Sequence, residues 1–134
     1  MVEKLAGSWK LCGGDSPDEY LQAVGFGAFL RTIASRATPT VSIDINGEGA
    51  TINTTVAVLS FKTEAKFGEE FDEEPPDNQK CRSLLYVNRD VLYQVRRWLD
   101  KKTVIKRYVD NEDNMIMELY IGKIKCRRIF ERIS

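Results

Sequence analysis

The sequence has helical signals in only one short stretch, residues 17–37, and patterns typical of β-strands through most of the remainder. Ser16-Pro17-Asp18-Glu19 has the order of a helix cap followed by the first helical residues. Gly25 can end a first helix, and Gly27 allows a turn before a second segment with apolar residues at helical spacing. Pro39 prevents further continuation. We therefore predict that two short helices interrupt the strands once.

From Thr40 onward, β-branched and aromatic residues recur in short runs, separated by turn residues such as Asn46-Gly47 and Gly122-Lys123. These turns recur roughly every 8–12 residues, which is typical of successive β-hairpins. About ten short antiparallel strands with short connections favour an up-and-down β-barrel, because closure removes the exposed sheet edges. A β-sandwich is the alternative. The acidic segment Glu69–Asp77 is expected to be a solvated loop.

Length and composition favour one small domain. The 134 residues, 43% of them apolar, suffice for one core, so we predict a single all-β domain over residues 1–134. The N-terminus has acidic Glu3 and no signal-peptide core, and no run approaches the about 18 apolar residues of a membrane span. Cys12, Cys81 and Cys126 are widely spaced, which argues against a disulfide framework or a zinc site. A reducing, cytoplasmic compartment fits this pattern.

The same composition disfavours two classes of function. The formal net charge is zero, whereas nucleic-acid-binding proteins are usually strongly basic. The sequence contains no histidine, the commonest general acid or base near neutral pH, and no phosphate-binding loop or nucleophile elbow. We therefore predict that the protein is not an enzyme and needs no cofactor or metal.

Strand periodicity places two arginines among inward-facing apolar residues. Alternate residues of a strand point to opposite faces, and Arg128 shares its face with Cys126 and Phe130. Arg107 shares its face with Ile105 in the same way. Leaving a buried charge without its partner costs about 3–5 kcal/mol, so these arginines predict that an anion enters the interior. A carboxylate matches the fork of guanidinium donors. Alternatively, loop carboxylates pair with both arginines near one end of the barrel.

Several segments together resemble a known family over the whole chain. They are Gly7-Ser8-Trp9-Lys10-Leu11, Asp18-Glu19-Tyr20-Leu21, Ala37-Thr38-Pro39-Thr40, Gly68-Glu69-Glu70-Phe71-Asp72-Glu73, Ile105-Lys106-Arg107 and Cys126-Arg127-Arg128-Ile129-Phe130-Glu131. Their pattern is similar to that of the intracellular lipid-binding proteins, and within them the fatty-acid-binding proteins. The last two segments resemble those that supply the paired ligand arginines of this family.

This resemblance implies a ten-stranded, flattened antiparallel β-barrel, like a clam, with the two helices as a lid. It implies non-covalent binding and intracellular transport of long-chain fatty acids, with the carboxylate on Arg128 directly and on Arg107 directly or through water. A monomer is expected, and the helical lid offers a transient membrane contact. The alternatives are a retinoic-acid carrier of the same family and a membrane-surface protein that docks on lipid.

Two residues depart from the pattern of the family. Phe130 stands where a tyrosine usually binds the carboxylate, and the loss of one neutral hydrogen bond should weaken binding by about 0.5–1.5 kcal/mol. Arg96 stands where an uncharged polar residue often faces the cavity. Since Arg96 and Arg97 are adjacent, one of them must point outward, and Arg96 belongs either to the cavity or to the surface.

The resemblance also implies the residues of the cavity wall and its opening, the portal. Those near the lid and the portal turn are Tyr20, Leu21, Phe26, Leu30, Ala34, Pro39, Val56 and Val58, and those on the deeper strands are Ile105, Met117 and Leu119. Ordinary core packing is the alternative role for any one of them, because the apolar residues of such a wall also stabilise the fold.

Overall fold

The computed structural model describes residues 1–75 and 79–134, which form ten β-strands and two α-helices after a short 3-10 helix at Val2–Leu5. The helices are α1 (Asp18–Val24) and α2 (Ala28–Arg36). The strands are β1 (Gly7–Gly14), β2 (Thr40–Ile45), β3 (Gly49–Val56), β4 (Leu59–Lys66), β5 (Phe71–Glu73), β6 (Cys81–Asn88), β7 (Val91–Trp98), β8 (Lys101–Val109), β9 (Met115–Ile121) and β10 (Ile124–Arg132).

All ten strands belong to one antiparallel sheet in the order β4-β3-β2-β1-β10-β9-β8-β7-β6-β5. Every chain-neighbouring pair is hydrogen-bonded except β4 and β5, which form the two ends of the sheet in the described part of the chain, and β1 pairs with β10. The sheet curls into a nearly closed barrel. The predicted up-and-down barrel is therefore confirmed, and the sandwich alternative is wrong.

The two predicted helices lie between β1 and β2. The start of α1 differs from the prediction, because Pro17 is the N-cap and the helix begins at Asp18 with no side-chain capping hydrogen bond. The hydroxyl of Ser16, one residue before the N-cap, accepts a hydrogen bond from the Asp18 amide at 3.3 Å. Gly25 ends α1 with φ 119°, a left-handed conformation that glycine adopts without a Cβ clash. Arg31 of α2 donates to the Asp18 carboxylate at 3.1 Å, which ties the two helices together.

The core forms two apolar clusters. The larger contains Leu5, and its Trp9 donates from Nε1 to the Leu5 carbonyl at 2.8 Å, so the short N-terminal helix covers this part of the barrel. The smaller cluster lies beneath α1 and contains Tyr20, Ile105, Leu119 and Cys126. Both arise from the period-2 alternation of buried and exposed residues along the strands.

The acidic segment Glu69–Asp77 differs from the prediction of a solvated loop. Phe71–Glu73 forms β5, which pairs with β6, and the Glu73 side chain is only 9% exposed. Strand alternation turns Glu73 inward while its neighbour Asp72 stays 88% exposed. The prediction of a solvated loop is thus wrong for Glu73. The last two positions of the acidic segment, 76 and 77, lie outside the described residues.

Candidate ligand-binding site

The barrel encloses an apolar cavity between the sheet and the two helices. The predicted residues that line it are Tyr20, Leu21, Phe26, Leu30, Ala34, Pro39, Val56, Arg96, Ile105, Arg107, Met117, Leu119, Arg128 and Phe130. Val58 does not line it. With Ala57 it forms the tight turn between β3 and β4, where Ala57 has φ 54° and Val58 is 94% exposed.

Further lining residues lie outside the wall and portal set predicted from the sequence. They are Pro17, Val24, Ile33, Val41, Thr54, Leu59, Phe61, Pro75, Gln79, Cys81, Trp98 and Thr103. The sequence contains a pattern that predicts some of them, because Leu59 and Phe61 are alternate residues of β4 and so share a face. Thr103 also positions the lid, since its hydroxyl and that of Tyr20 lie 2.6 Å apart in a hydrogen bond.

Arg107 and Arg128 lie on the inner wall, and each residue is 6% exposed. Arg107 of β8 and Arg128 of β10 are both register partners of Met117 on β9, so the two arginines flank one residue on the same face. Arg107 Nη1 donates to Gln94 Oε1 at 2.9 Å. In contrast, the Nε donor of each arginine is buried and has no hydrogen-bond partner among the described residues.

The electrostatics of these two arginines reflect their burial. The pKa of Arg107 is lowered from 12.5 to about 10, mainly by burial and to a smaller extent by repulsion from Arg96. The attraction of Glu73 opposes this shift. Burial also lowers the pKa of Arg128. A pKa of about 10 leaves Arg107 protonated at neutral pH. The cavity therefore contains cationic donors whose charged forms are disfavoured until an anion approaches them.

Arg96 lies on the inner wall, whereas Arg97 is exposed on the outer face. Arg96 Nε donates to Glu73 Oε1 at 2.9 Å, and the exposed fractions of the two side chains are 14% and 9%. Pairing of Arg96 with Thr103 and of Arg97 with Lys102 on β8 fixes this orientation. Arg96 is thus a third cation of the cavity, and it has a partner.

The Glu73 carboxylate binds donors from three other strands. Its Oε1 accepts hydrogen bonds from Ser83 at 2.7 Å, Gln94 at 3.1 Å and Arg96 at 2.9 Å, and its Oε2 accepts one from Thr63. Burial raises the pKa of Glu73, but the charge of Arg96 and these hydrogen bonds outweigh burial, so the pKa is lowered overall. Because Thr63 belongs to β4, this ionised carboxylate joins the two strands that share no backbone ladder.

The remaining head-group position, Phe130, is 1% exposed and belongs to the larger apolar cluster. It follows Arg128 on the same inner face, and its ring offers no hydrogen-bond donor or acceptor. The arrangement can therefore hold an anionic group through guanidinium donors, with apolar side chains around the rest of a ligand.

Within residues 1–75 and 79–134, no group of three or more His, Cys, Asp or Glu side chains is arranged to hold a metal ion. No helix in this described part of the chain is long and apolar enough to cross a membrane.

A nearly closed ten-stranded barrel, a helical lid and a buried cationic cavity define a lipid-binding type of barrel. Fatty acid-binding protein 9 of Homo sapiens is 35% identical over 133 residues, which cover 99% of this chain and 100% of that protein. The adipocyte fatty acid-binding protein of Pygoscelis papua is 33% identical over 98% of this chain and 99% of that protein. No protein-family model matches the chain.

Solved structures that resemble this chain include fatty-acid-binding proteins and transporters. A fatty-acid-binding protein of Schistosoma mansoni in complex with arachidonic acid superposes with a TM-score of 0.92 and 30% identity, over 99% of this chain and 98% of that one. The REP1-NXSQ fatty acid transporter also superposes with a TM-score of 0.92 and 30% identity, over 97% and 96% of the two chains. The chain belongs to the fatty-acid-binding protein family, as its motifs predict. Proteins of this family are non-enzymatic carriers, and so is this one.

Proposed function

We propose that this protein binds long-chain fatty acids non-covalently in its cavity and transports them within the cytoplasm, with the carboxylate held by Arg107 and Arg128. One observation carries the proposal. Two guanidinium groups, each on a residue that is 6% exposed, lie in an apolar cavity with their Nε donors unpartnered among the described residues. A carboxylate supplies both the missing charge and the missing acceptors. The names of the relatives, which include one with bound arachidonic acid, support the same class of ligand.

The apolar wall supplies the other part of the affinity. Helical residues such as Phe26 and Leu30 and strand residues such as Ile105 and Leu119 line the space beyond the arginines. Each buried methylene contributes about 0.8 kcal/mol, so a long acyl chain binds largely through this wall. The arginines then determine the orientation of the ligand.

The test compares a fatty acid with the fatty alcohol of the same chain length. Replacing Arg128 by Leu, and to a lesser degree Arg107 by Leu, should weaken fatty-acid binding far more than alcohol binding. Hydrogen bonds to charged groups contribute about 1.5–3 kcal/mol each, so the loss for the acid should be roughly ten- to a hundredfold. Displacement of a fluorescent fatty acid from the delipidated protein measures both affinities.

Arg127→Leu is the matched control. Arg127 is adjacent to Arg128 but exposed on the outer face, so its removal should leave both affinities unchanged. Equal losses for acid and alcohol in the Arg128 variant would contradict a carboxylate anchor, and so would an equal effect of the Arg127 variant.

We also propose that the protein acts as a monomer whose lid makes transient contact with membranes. Phe29 of α2 is 77% exposed, whereas Leu30 and Ile33 of the same helix line the cavity, so Phe29 presents an apolar side chain on the solvent side of the lid. Phe29→Ser should slow the transfer of a fluorescent fatty acid to vesicles, whereas Ile133→Ser, at a 52% exposed position in the C-terminal tail, should not. Equal rates for the two variants would refute the contact. Light scattering coupled to gel filtration would test the monomer.

A further inference from the structure

The charges on the inner wall are unbalanced among the residues that the structure describes. Arg96, Arg107 and Arg128 line the cavity, and the carboxylate that forms an ion pair there is that of Glu73. Asp15 also attracts Arg128, but it is exposed and accepts a hydrogen bond from the backbone N–H of Arg127, so water screens its charge. Two positive charges of the described interior therefore lack a buried counter-charge.

Glu73 cannot serve a second arginine directly. One of its oxygens accepts hydrogen bonds from Ser83, Gln94 and Arg96, and the other accepts one from Thr63. Arg107 reaches Glu73 only through Gln94, whose oxygen accepts from Arg107 while its amide donates to Glu73. Since Gln94 is neutral, this relay transmits no charge.

The two unbalanced arginines lie close enough to act on one head group. Both are register partners of Met117, and neighbouring strands lie about 4.7–4.9 Å apart, so the Cα atoms of Arg107 and Arg128 are separated by roughly 10 Å. Two long arginine side chains can close this span. A single carboxylate balances one of the two charges, and the other remains buried without a partner, which is costly.

We propose that the cavity prefers amphiphiles whose head group carries two negative charges, as in a phosphate monoester of a long-chain alcohol or lipid. This proposal deepens the proposed fatty-acid binding and rests on it, since the acyl chain occupies the same cavity. The reason is the ion pair of the inner wall. Because Arg96 pairs with Glu73 and neutralises its charge, Arg107 and Arg128 both remain available for the ligand.

Dodecyl phosphate and dodecyl sulfate isolate the effect of charge, because both have a four-oxygen head while the sulfate carries one charge. Their affinities for the delipidated protein are measured by displacement of a fluorescent fatty acid at submicellar concentration. The second pKa of a phosphate monoester is about 6, so dodecyl phosphate is a dianion at about pH 7.5 and a monoanion at about pH 5. We expect at least about tenfold tighter binding of the phosphate at the higher pH and similar affinities at the lower one.

The charged groups of the inner wall keep their charge between these two pH values. The pKa of Glu73 is lowered from 4.5, that of Arg107 is about 10, and that of Tyr20 is raised from 10.0 by burial. Burial raises the pKa of the Cys126 thiol from 9.0, and guanidinium groups stay protonated throughout this pH range. A change in the preference for phosphate over sulfate between the two pH values therefore reflects the protonation state of the ligand.

Two variants and a second ligand pair complete the test. Arg96→Gln leaves Glu73 to balance one of the two remaining arginines, and it should reduce the phosphate preference to less than about threefold. Arg97→Gln, on the outer face, should leave the preference unchanged. N-dodecanoyl-aspartate should likewise bind more tightly than N-dodecanoyl-glycine, and a preference confined to the phosphate would restrict the ligand class to phosphate monoesters.

Failure of this inference can be distinguished from failure of the proposed function. Tight binding of fatty acids with equal affinities for phosphate and sulfate would overturn the dianion preference alone. A phosphate preference that persists at the lower pH or in Arg96→Gln would overturn it as well, because head-group shape would then explain it. Absence of binding for every amphiphile would refute fatty-acid binding itself.

Discussion

Replacement of Glu73 by Gln tests a buried carboxylate that accepts hydrogen bonds from four side chains. The carboxylate and its partner Arg96 are 9% and 14% exposed, so water screens their attraction little. Glutamine keeps one acceptor oxygen for the donors of β6 and β7 but removes the charge. Breaking a buried ion pair costs about 3–5 kcal/mol, and a retained hydrogen bond offsets about 1 kcal/mol, so we expect a loss of roughly 2–4 kcal/mol in the free energy of unfolding.

Chemical denaturation of the delipidated protein measures this loss, and a double-mutant cycle assigns it. The cycle combines Glu73→Gln, Arg96→Met and the double variant, and we expect a coupling energy of at least about 1.5 kcal/mol. Asp72→Asn is the matched control, because Asp72 is 88% exposed and pairs with Arg82 at the surface. Such a pair contributes about 0–1 kcal/mol. A coupling energy below about 0.5 kcal/mol would refute a stabilising role for the buried pair.

The pH dependence of the same variant follows from the lowered pKa of Glu73. A carboxyl group with a lowered pKa in the folded state stabilises the fold above its ordinary pKa, which is 4.5 here. This contribution disappears as the pH falls through the lowered folded-state value. The difference between wild type and Glu73→Gln should therefore be constant near neutral pH and shrink below pH 4.5. A constant difference down to strongly acidic pH would show that the charge of Glu73 contributes nothing.

Two further predictions concern the head group and the lid. Phe130→Tyr places a hydroxyl two residues after Arg128 and should raise fatty-acid affinity by up to about tenfold, as calorimetry would show, and unchanged binding would place the head group elsewhere. Replacing residues 17–36 by a Gly/Ser linker should change the stopped-flow rates of ligand entry and exit more than it changes the β-sheet circular dichroism. Arg31→Met removes the hydrogen bond to Asp18 and should change these rates in the same direction. A lost sheet signal would show that the helices are structural, and unchanged rates in folded variants would show that the ligand passes elsewhere.

Local sequence rules predicted the barrel, the helices and the inward position of Arg107 and Arg128. The period-2 alternation holds because β8 and β10 are regular strands, in which a shift of one residue would move every side chain to the opposite face. The orientation of Arg96 was open, because Arg96 and Arg97 are adjacent cations. Pairing with β8 decides it, and this pairing is not visible in the β7 sequence alone.

Glu73 was missed because its burial depends on partners far along the chain. Its segment is acidic and contains prolines, which is typical of a solvated loop. The groups that make burial favourable are Thr63, Ser83, Gln94 and Arg96, which lie 10 to 23 residues away and on three other strands. Each partner is an ordinary strand residue when taken alone. Only the curled, nearly closed sheet brings them to one carboxylate.

The barrel and the binding site therefore have a common origin in strand register. Arg107 and Arg128 flank Met117 because two successive hairpins, β8 with β9 and β9 with β10, each pair one arginine with the same residue. A one-residue slip in either hairpin would turn an arginine outward together with every apolar neighbour on its strand. The apolar alternation that fixes the register thus also fixes two buried charges, whose desolvation opposes folding. Hydrophobic burial along the strands offsets this penalty, and the proposed anionic ligand would offset it directly, so the proposed anion binding and fold stability would be linked through the same two residues.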